Sequence, residues 1–311
     1  KVYVGAQLQT YTNAEKTLSF GDEQFIIEGT GPDGKGAIRC LSTAQQSSIV
    51  SPLGKKLTLT GNALITDTVR HDLFGTTDLG GHTLTLKGGS FYFENSVTTN
   101  GNVIASGGVV VFPTQCSFPG DASNVFTLTN NAQFYFCWSV LSKVFWTLDV
   151  ADGYFQLSVD SQDNLWNGPV ILRKMTSFQG GNNAATFATV RFPKKVTGDG
   201  GFNMKGNYQE LRLGSPENDF KGGIAMNAGS LRIDADGAVP RDGGRLSLTN
   251  SAVIFNGIAS CSLPPVEFSG TGYVGKCSGA WKTEVVKSGA GELVYDSLLG
   301  SELLDVRGGT V

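Results

Sequence analysis

Residues 218–238 read NDFKGGIAMNAGSLRIDADGA, and the reading of this phrase decides the fold. Gly222 and Gly223 precede one short alternating stretch. Gly229 precedes a second, Leu231-Arg232-Ile233, which ends in a polar turn. Apolar residues at every second position describe a strand with one buried face. Sharp corners between such strands need residues that accept positive φ, and Gly and Asn do so at little cost. One unit of this kind cannot bury its apolar stripe alone, so it must stack on copies of itself.

Looser copies are present. KLTLTG (56–61), HTLTLKGG (82–89), ELRLGS (210–215) and RLSLTN (245–250) repeat the alternation. Leu84, Leu86, Leu211, Leu213, Leu231, Ile233, Leu246 and Leu248 are the expected core. Double glycines at 180–181, 200–201, 222–223 and 243–244 advance by 20, 22 and 21 residues. A fixed period of this size marks a repeat architecture, and no stretch carries a helical period over ten or more residues. The expectation is an all-β solenoid with about 20–22 residues per coil. Its corners are expected at Asn130, Asn131, Asn182, Asn183, Asn250 and Asn256.

Composition agrees with one stacked architecture. Glycine supplies 42 of 311 residues, charged residues only 16% and apolar residues 40%, which excludes a disordered chain. A net charge of −3 leaves no electrostatic footprint for nucleic acid or anionic lipid. No apolar run reaches the roughly 20 residues that span a bilayer, so no membrane insertion of this chain is expected. KVYVGAQLQT lacks the parts of a signal peptide, and LLDVRGGTV stops within a strand-like phrase. We therefore expect a piece of a longer protein that continues past Val311. Cys116 and Cys137 lie 21 residues apart and Cys261 and Cys277 16 apart, which allows disulfides within or between neighbouring coils, but isolated buried thiols are the favoured reading.

Residues 218–257 resemble the autotransporter-associated β-strand repeat, with Asn218, Phe220, Gly222, Gly223, Asn227, Gly229 and Leu231 in its positions. Lys287, Gly289, Gly291, Leu293, Gly308 and Gly309 look like a second copy, and VTTNGNVIASGGVVVF (97–112) a weaker third. The clearest repeats span 198–257 and 285–311. FIIEGTGPDGKGAI (25–38) and DLGGHTLTLKGG (78–89) look like phrases of pectate-lyase-like right-handed parallel β-helices. The resemblance implies a right-handed parallel β-helix, residues 1–311 forming one segment of a larger protein. It also implies a secreted or outer-surface setting in a Gram-negative bacterium, and a scaffold with no catalytic residues of its own.

Chemistry-bearing clusters are sparse. Asp149, Asp152, Asp160 and Asp163 could supply the paired carboxyls of glycoside hydrolysis, but Asp152 and Asp163 sit in ordinary turn contexts. Asp234, Asp236 and Asp242 lack the spacing of a calcium loop. His82 follows a double glycine and reads as a corner residue. No nucleophile elbow or P-loop occurs, so no catalytic residue, metal or cofactor is expected.

The strongest candidate is the aromatic block at 134–166. Parity sends Phe134, Phe136, Trp138, Trp146, Phe155 and Leu157 inward, and Tyr135, Phe145 and Tyr154 outward. Trp166 is expected in a loop beside Gly168-Pro169. Exposed flat rings suit stacking on a sugar or anchoring of a surface protein. The expected function is a structural and adhesive extracellular spacer with a ligand patch at Tyr135, Phe145, Tyr154 and Trp166. The alternative is a polysaccharide-active enzyme, or a carbohydrate-binding accessory region. Oligomeric state is left open.

Overall fold

A computed structural model describes residues 5–12, 20, 22–42, 50–53, 55–113, 116–137, 140–141, 143–158, 163–180, 187–258, 261–275, 281–296 and 303–311. The chain divides into two compact units, Lys1–Tyr154 and Phe155–Val311. Each is a parallel β-solenoid, and the sole helical element among the described residues is a 3-10 turn at Pro32–Gly34.

In the second unit, Phe202 pairs with Ile224, Ile224 with Leu246, Leu246 with Val266 and Val266 with Val285, all in parallel. These steps advance 19–22 residues per turn. On another face Leu211 pairs with Leu231 and Leu231 with Val253. The turn before is longer, with Thr176 opposite Phe202.

In the first unit the strand Lys56–Leu73 travels around three faces of one coil. Its register with Gly75–Tyr92 breaks after Thr58 and again after Asp67. Three straight runs result, 56–58, 63–67 and 70–72, each opposite residues one coil later. Earlier coils are wider: Gln24 lies opposite Lys56 and Leu8 opposite Ile38. The repeat period therefore holds over much of the chain and lengthens in particular coils.

All eight expected core residues are buried. In-register stacking places like on like, and aromatic ladders result. Phe93 stacks on Phe112 at 5.0 Å and Phe112 on Phe134 at 4.3 Å in the first unit. Phe155 stacks on Phe178 at 4.5 Å in the second. Such ring pairs contribute roughly 0.5–1.5 kcal/mol beyond area burial. Phe134, Phe136, Trp146, Phe155 and Leu157 all face inward, as parity requires. Trp146 meets Phe118 edge-on and donates Nε1–H to the Pro119 carbonyl at 2.8 Å. Trp138 lies outside the described residues.

The 218–238 phrase acquires a reason for each position. Buried Asn218 accepts the Val196 N–H at 2.7 Å one coil back, and donates to the Ala238 carbonyl at 2.7 Å one coil ahead. Phe220 packs edge-on against Phe202. Gly223 has φ +75°, and a Cβ there would stand 2.3 Å from the Arg245 carbonyl oxygen. A Cβ on Gly229 would meet the Gln209 carbonyl oxygen at 2.3 Å. Corners use asparagine as expected: Asn130, Asn131 and Asn250 all have positive φ. Asn256 serves otherwise, donating Nδ2–H to Asp234 at 2.8 Å, and Asn182 and Asn183 lie outside the described residues.

Cys116 and Cys137 carry free thiols and are not bridged to each other; Cys277 lies outside the described residues. Burial pushes the Cys116 thiol up to about 12. Thiolate is the reactive form, so Cys116 should stay unalkylated by iodoacetamide in the native protein and react on unfolding. Peptide mass spectrometry showing native-state alkylation at Cys116 would contradict this packing.

Candidate functional site

The run 70–72 begins just after a corner of the Lys56–Leu73 strand. His71 points inward, tilted against Phe91, while Arg70 and Asp72 share the opposite parity, with Arg70 partly exposed and Asp72 buried. Beneath them, Asp67 Oδ2 and His71 Nδ1 lie 2.8 Å apart, both buried. This pair bridges the corner and fixes the angle at which the run leaves it.

Register builds the outward face. Asp72 lies opposite Tyr92, Tyr92 opposite Val111, and Val111 opposite Tyr135. A parallel row holds Arg70, Ser90, Val109 and Gln133. Neighbours along a row are about 4.8 Å apart.

Arg70 ties the rows together. Its Nε donates to Asp72 Oδ1 at 2.7 Å and its Nη2 to Asp72 Oδ2 at 3.0 Å. Nη2 also donates to Glu94 Oε2 at 3.2 Å. The guanidinium lies 3.7 Å from the centroid of the Tyr92 ring, a cation–π contact. Desolvation disfavours the Arg70 cation, but the hydrogen bond and charge of Asp72 outweigh it, leaving its pKa above the usual arginine value. Tyr92 is pushed up by burial, which the Arg70 charge partly offsets. The Cys137 thiol is raised by burial and then by the Glu94 carboxylate, and it hydrogen-bonds with Tyr135. Next along the face, Tyr154 donates its hydroxyl to Gln133 Oε1 at 2.9 Å.

Of the four expected ligand residues, Tyr135 and Tyr154 fall on this face. Phe145 is exposed at 41%, but its backbone bonds to Phe118 on a different run of the coil. Trp166 corrects the sequence reading. It ends the strand Asn164–Trp166, whose Asn164 and Leu165 pair with Val190 and Arg191, and its side chain is 0% exposed. The Gly168-Pro169 pair lies beyond the strand's end and does not draw Trp166 into a loop.

Arg70, Asp72, Tyr92 and Glu94 escaped the sequence reading, although a signal exists. Arg-x-Asp at 70–72 and Tyr-x-Glu at 92–94 share outward parity and stand about one period apart.

The aspartates considered from sequence are engaged otherwise. Asp152 is exposed at a turn, where its carbonyl accepts the Asn131 N–H at 2.8 Å. Asp163 accepts from Arg191 at 2.6 Å, and Asp149 occupies an outward position of Thr147–Val150. Asp160 lies outside the described residues. Asp234 pairs with Arg212, Asp242 with Lys221 at 2.8 Å, and Asp236 accepts the Ser262 N–H at 3.4 Å.

In the second unit Arg191, Arg212 and Arg232 lie in one outward row. Each is neutralised by a carboxylate of another coil: Asp163, Asp234 and Glu210 respectively. His82 is half-exposed after the positive-φ corner Gly80-Gly81, as a corner residue should be. Among the described residues no helix is long and apolar enough to cross a membrane. Compared with known proteins, the chain matches no family model, no curated protein and no solved structure.

Proposed function

We propose that the chain is a structural and adhesive β-solenoid whose tyrosine face, in the Lys1–Tyr154 unit, binds carbohydrate. The observation that carries this reading is the row holding half-exposed Tyr92 and Tyr135 on either side of buried Val111, bordered by Arg70, Glu94, Gln133 and Tyr154. Flat rings beside amide, carboxylate and guanidinium groups match a ligand with apolar ring faces and a hydroxyl-rich rim. Each stacked ring contributes on the order of 1 kcal/mol, so several rings give weak but measurable affinity.

The likeness of residues 218–257 to autotransporter-associated repeats favours an extracellular, bacterial-surface setting for such a spacer. The rival reading, a polysaccharide-cleaving enzyme, needs two carboxyls open to a bound sugar. Both oxygens of Asp72 are instead held by Arg70, and its side chain is buried.

A glycan array, followed by titration of the best hit, tests the proposal. Combined Tyr92→Ala, Tyr135→Ala and Tyr154→Ala should weaken binding by about a hundredfold, as expected for two to three stacking contacts. Phe145→Ala, outside the row, should leave it unchanged. Full binding by the triple variant would remove the site from this face. Binding of a protein but no glycan would replace the ligand class, and release of new reducing ends would favour the enzyme.

A further inference from the structure

A cleft of about 290 Å³ opens on a different run of the first unit's coils, lined by Lys35, Arg39, Leu41, Thr66 and Lys87 with glycine at its edges. Register sets its geometry. Arg39 lies opposite Thr66 and Thr66 opposite Lys87, while their neighbours Ile38, Ile65 and Leu86 are stacked and buried. Arg39 and Lys87 therefore point outward on either side of Thr66, their backbones about 10 Å apart. Both side chains are long enough to converge above it. Thr66 donates its hydroxyl to the Lys35 carbonyl at 2.5 Å, which holds the turn bearing the third cation at the rim.

The charges in this cleft are not balanced. Arg191, Arg212, Arg232 and Arg245 each sit on a carboxylate. Arg39 and Lys87 have no ion pair among the described residues. Asp67, the one acid of the lining, is buried and committed to His71. Lys35 has only Asp33 at 3.5 Å, with both side chains largely exposed, a weak pairing. Two uncompensated cations and a third at the rim face a floor of threonine and glycine.

We propose that this cleft binds a phosphoryl dianion, either free phosphate or a phosphomonoester. Arg39 offers a planar fork to two of its oxygens and Lys87 a point charge to a third. A single carboxylate carries one negative charge against these cations and so compensates them less fully than a dianion. Nucleic acid would need a longer basic track than three side chains.

Titration calorimetry on the 311-residue chain tests the assignment, at low ionic strength and a mildly alkaline pH where phosphate is dianionic. Inorganic phosphate, glucose 6-phosphate and acetate are the probes. Phosphate or the sugar phosphate should bind in the millimolar range or better, and acetate markedly more weakly. Tighter binding of glucose 6-phosphate identifies an ester site, and tighter binding of inorganic phosphate a free-ion site. Arg39→Gln and Lys87→Gln should each weaken binding about tenfold, the effect of one charged hydrogen bond. Both residues face outward, so melting temperature should not move, and Lys143→Gln serves as an exposed control. If Arg39→Gln misfolds, exposed Lys87→Gln decides alone. Acetate binding as tight as phosphate, no heat with any probe, or wild-type affinity in Lys87→Gln would overturn the proposal.

Discussion

Leu231→Asp is expected to unfold the coils around it. Leu231 is 0% exposed and stacked between Leu211 and Val253 in consecutive turns. An aspartate there loses the leucine's burial and sets a carboxyl into an apolar stack between Leu211 and Val253. The combined cost exceeds about 5 kcal/mol, comparable with the whole stability of an ordinary domain. Leu231→Ala grades the same site, removing packing without adding charge, and should cost about 2–5 kcal/mol. Urea titration and limited proteolysis give both values. Wild-type midpoint and protease resistance in Leu231→Asp would mean the inward face has been misassigned.

The second large effect is expected at Asn218. Its carboxamide satisfies a backbone N–H of one neighbouring coil and a backbone carbonyl of the other, each at 2.7 Å. Asn218→Ala leaves both buried groups unpaired, at about 1–3 kcal/mol each. A total of about 2–6 kcal/mol follows, with faster hydrogen exchange at the Val196 amide. Asn227 belongs to the same repeat phrase but is exposed, and Asn227→Ala should change stability by less than about 0.5 kcal/mol. Equal losses at the two positions would refute the bridging role.

What could be read from the sequence follows from which interactions are periodic. Alternation alone places Leu211, Leu231 and Phe155 inward, because a strand has only two faces. It also places Tyr135 and Tyr154 outward. For Trp166 the nearby Gly168-Pro169 points to a loop, and parity does not correct this because it cannot be counted from one strand to the next. The strand Gly153–Leu157 ends before Asn164–Trp166 begins, and nothing local in the sequence says where alternation resumes. The cluster around Arg70 was missed for another reason. Arg70, Tyr92 and Tyr135 fall on one face only once the inter-coil register is known, and coils of unequal length hide that register from a fixed period. The pairing of Asn218 with two different coils is likewise invisible in a one-dimensional motif, which records only that asparagine stands there.

The arginine row of the second unit has a consequence for assembly order. Hydrophobic stacks are forgiving: a coil displaced by one full turn would still set leucine on leucine. The ion pairs are not. Arg212 reaches forward to Asp234, whereas Arg232 reaches back to Glu210 and Arg191 back to Asp163. The direction of reach differs from coil to coil, so a stack slipped by one turn would break these particular pairs. Arg191, Arg212 and Arg232 already stand about 4.8 Å apart in the native row, where their carboxylates offset the repulsion, and a slipped stack would lose that offset. The row thus works as a sequence of keyed joints, giving nearly interchangeable coils a defined order in the stack.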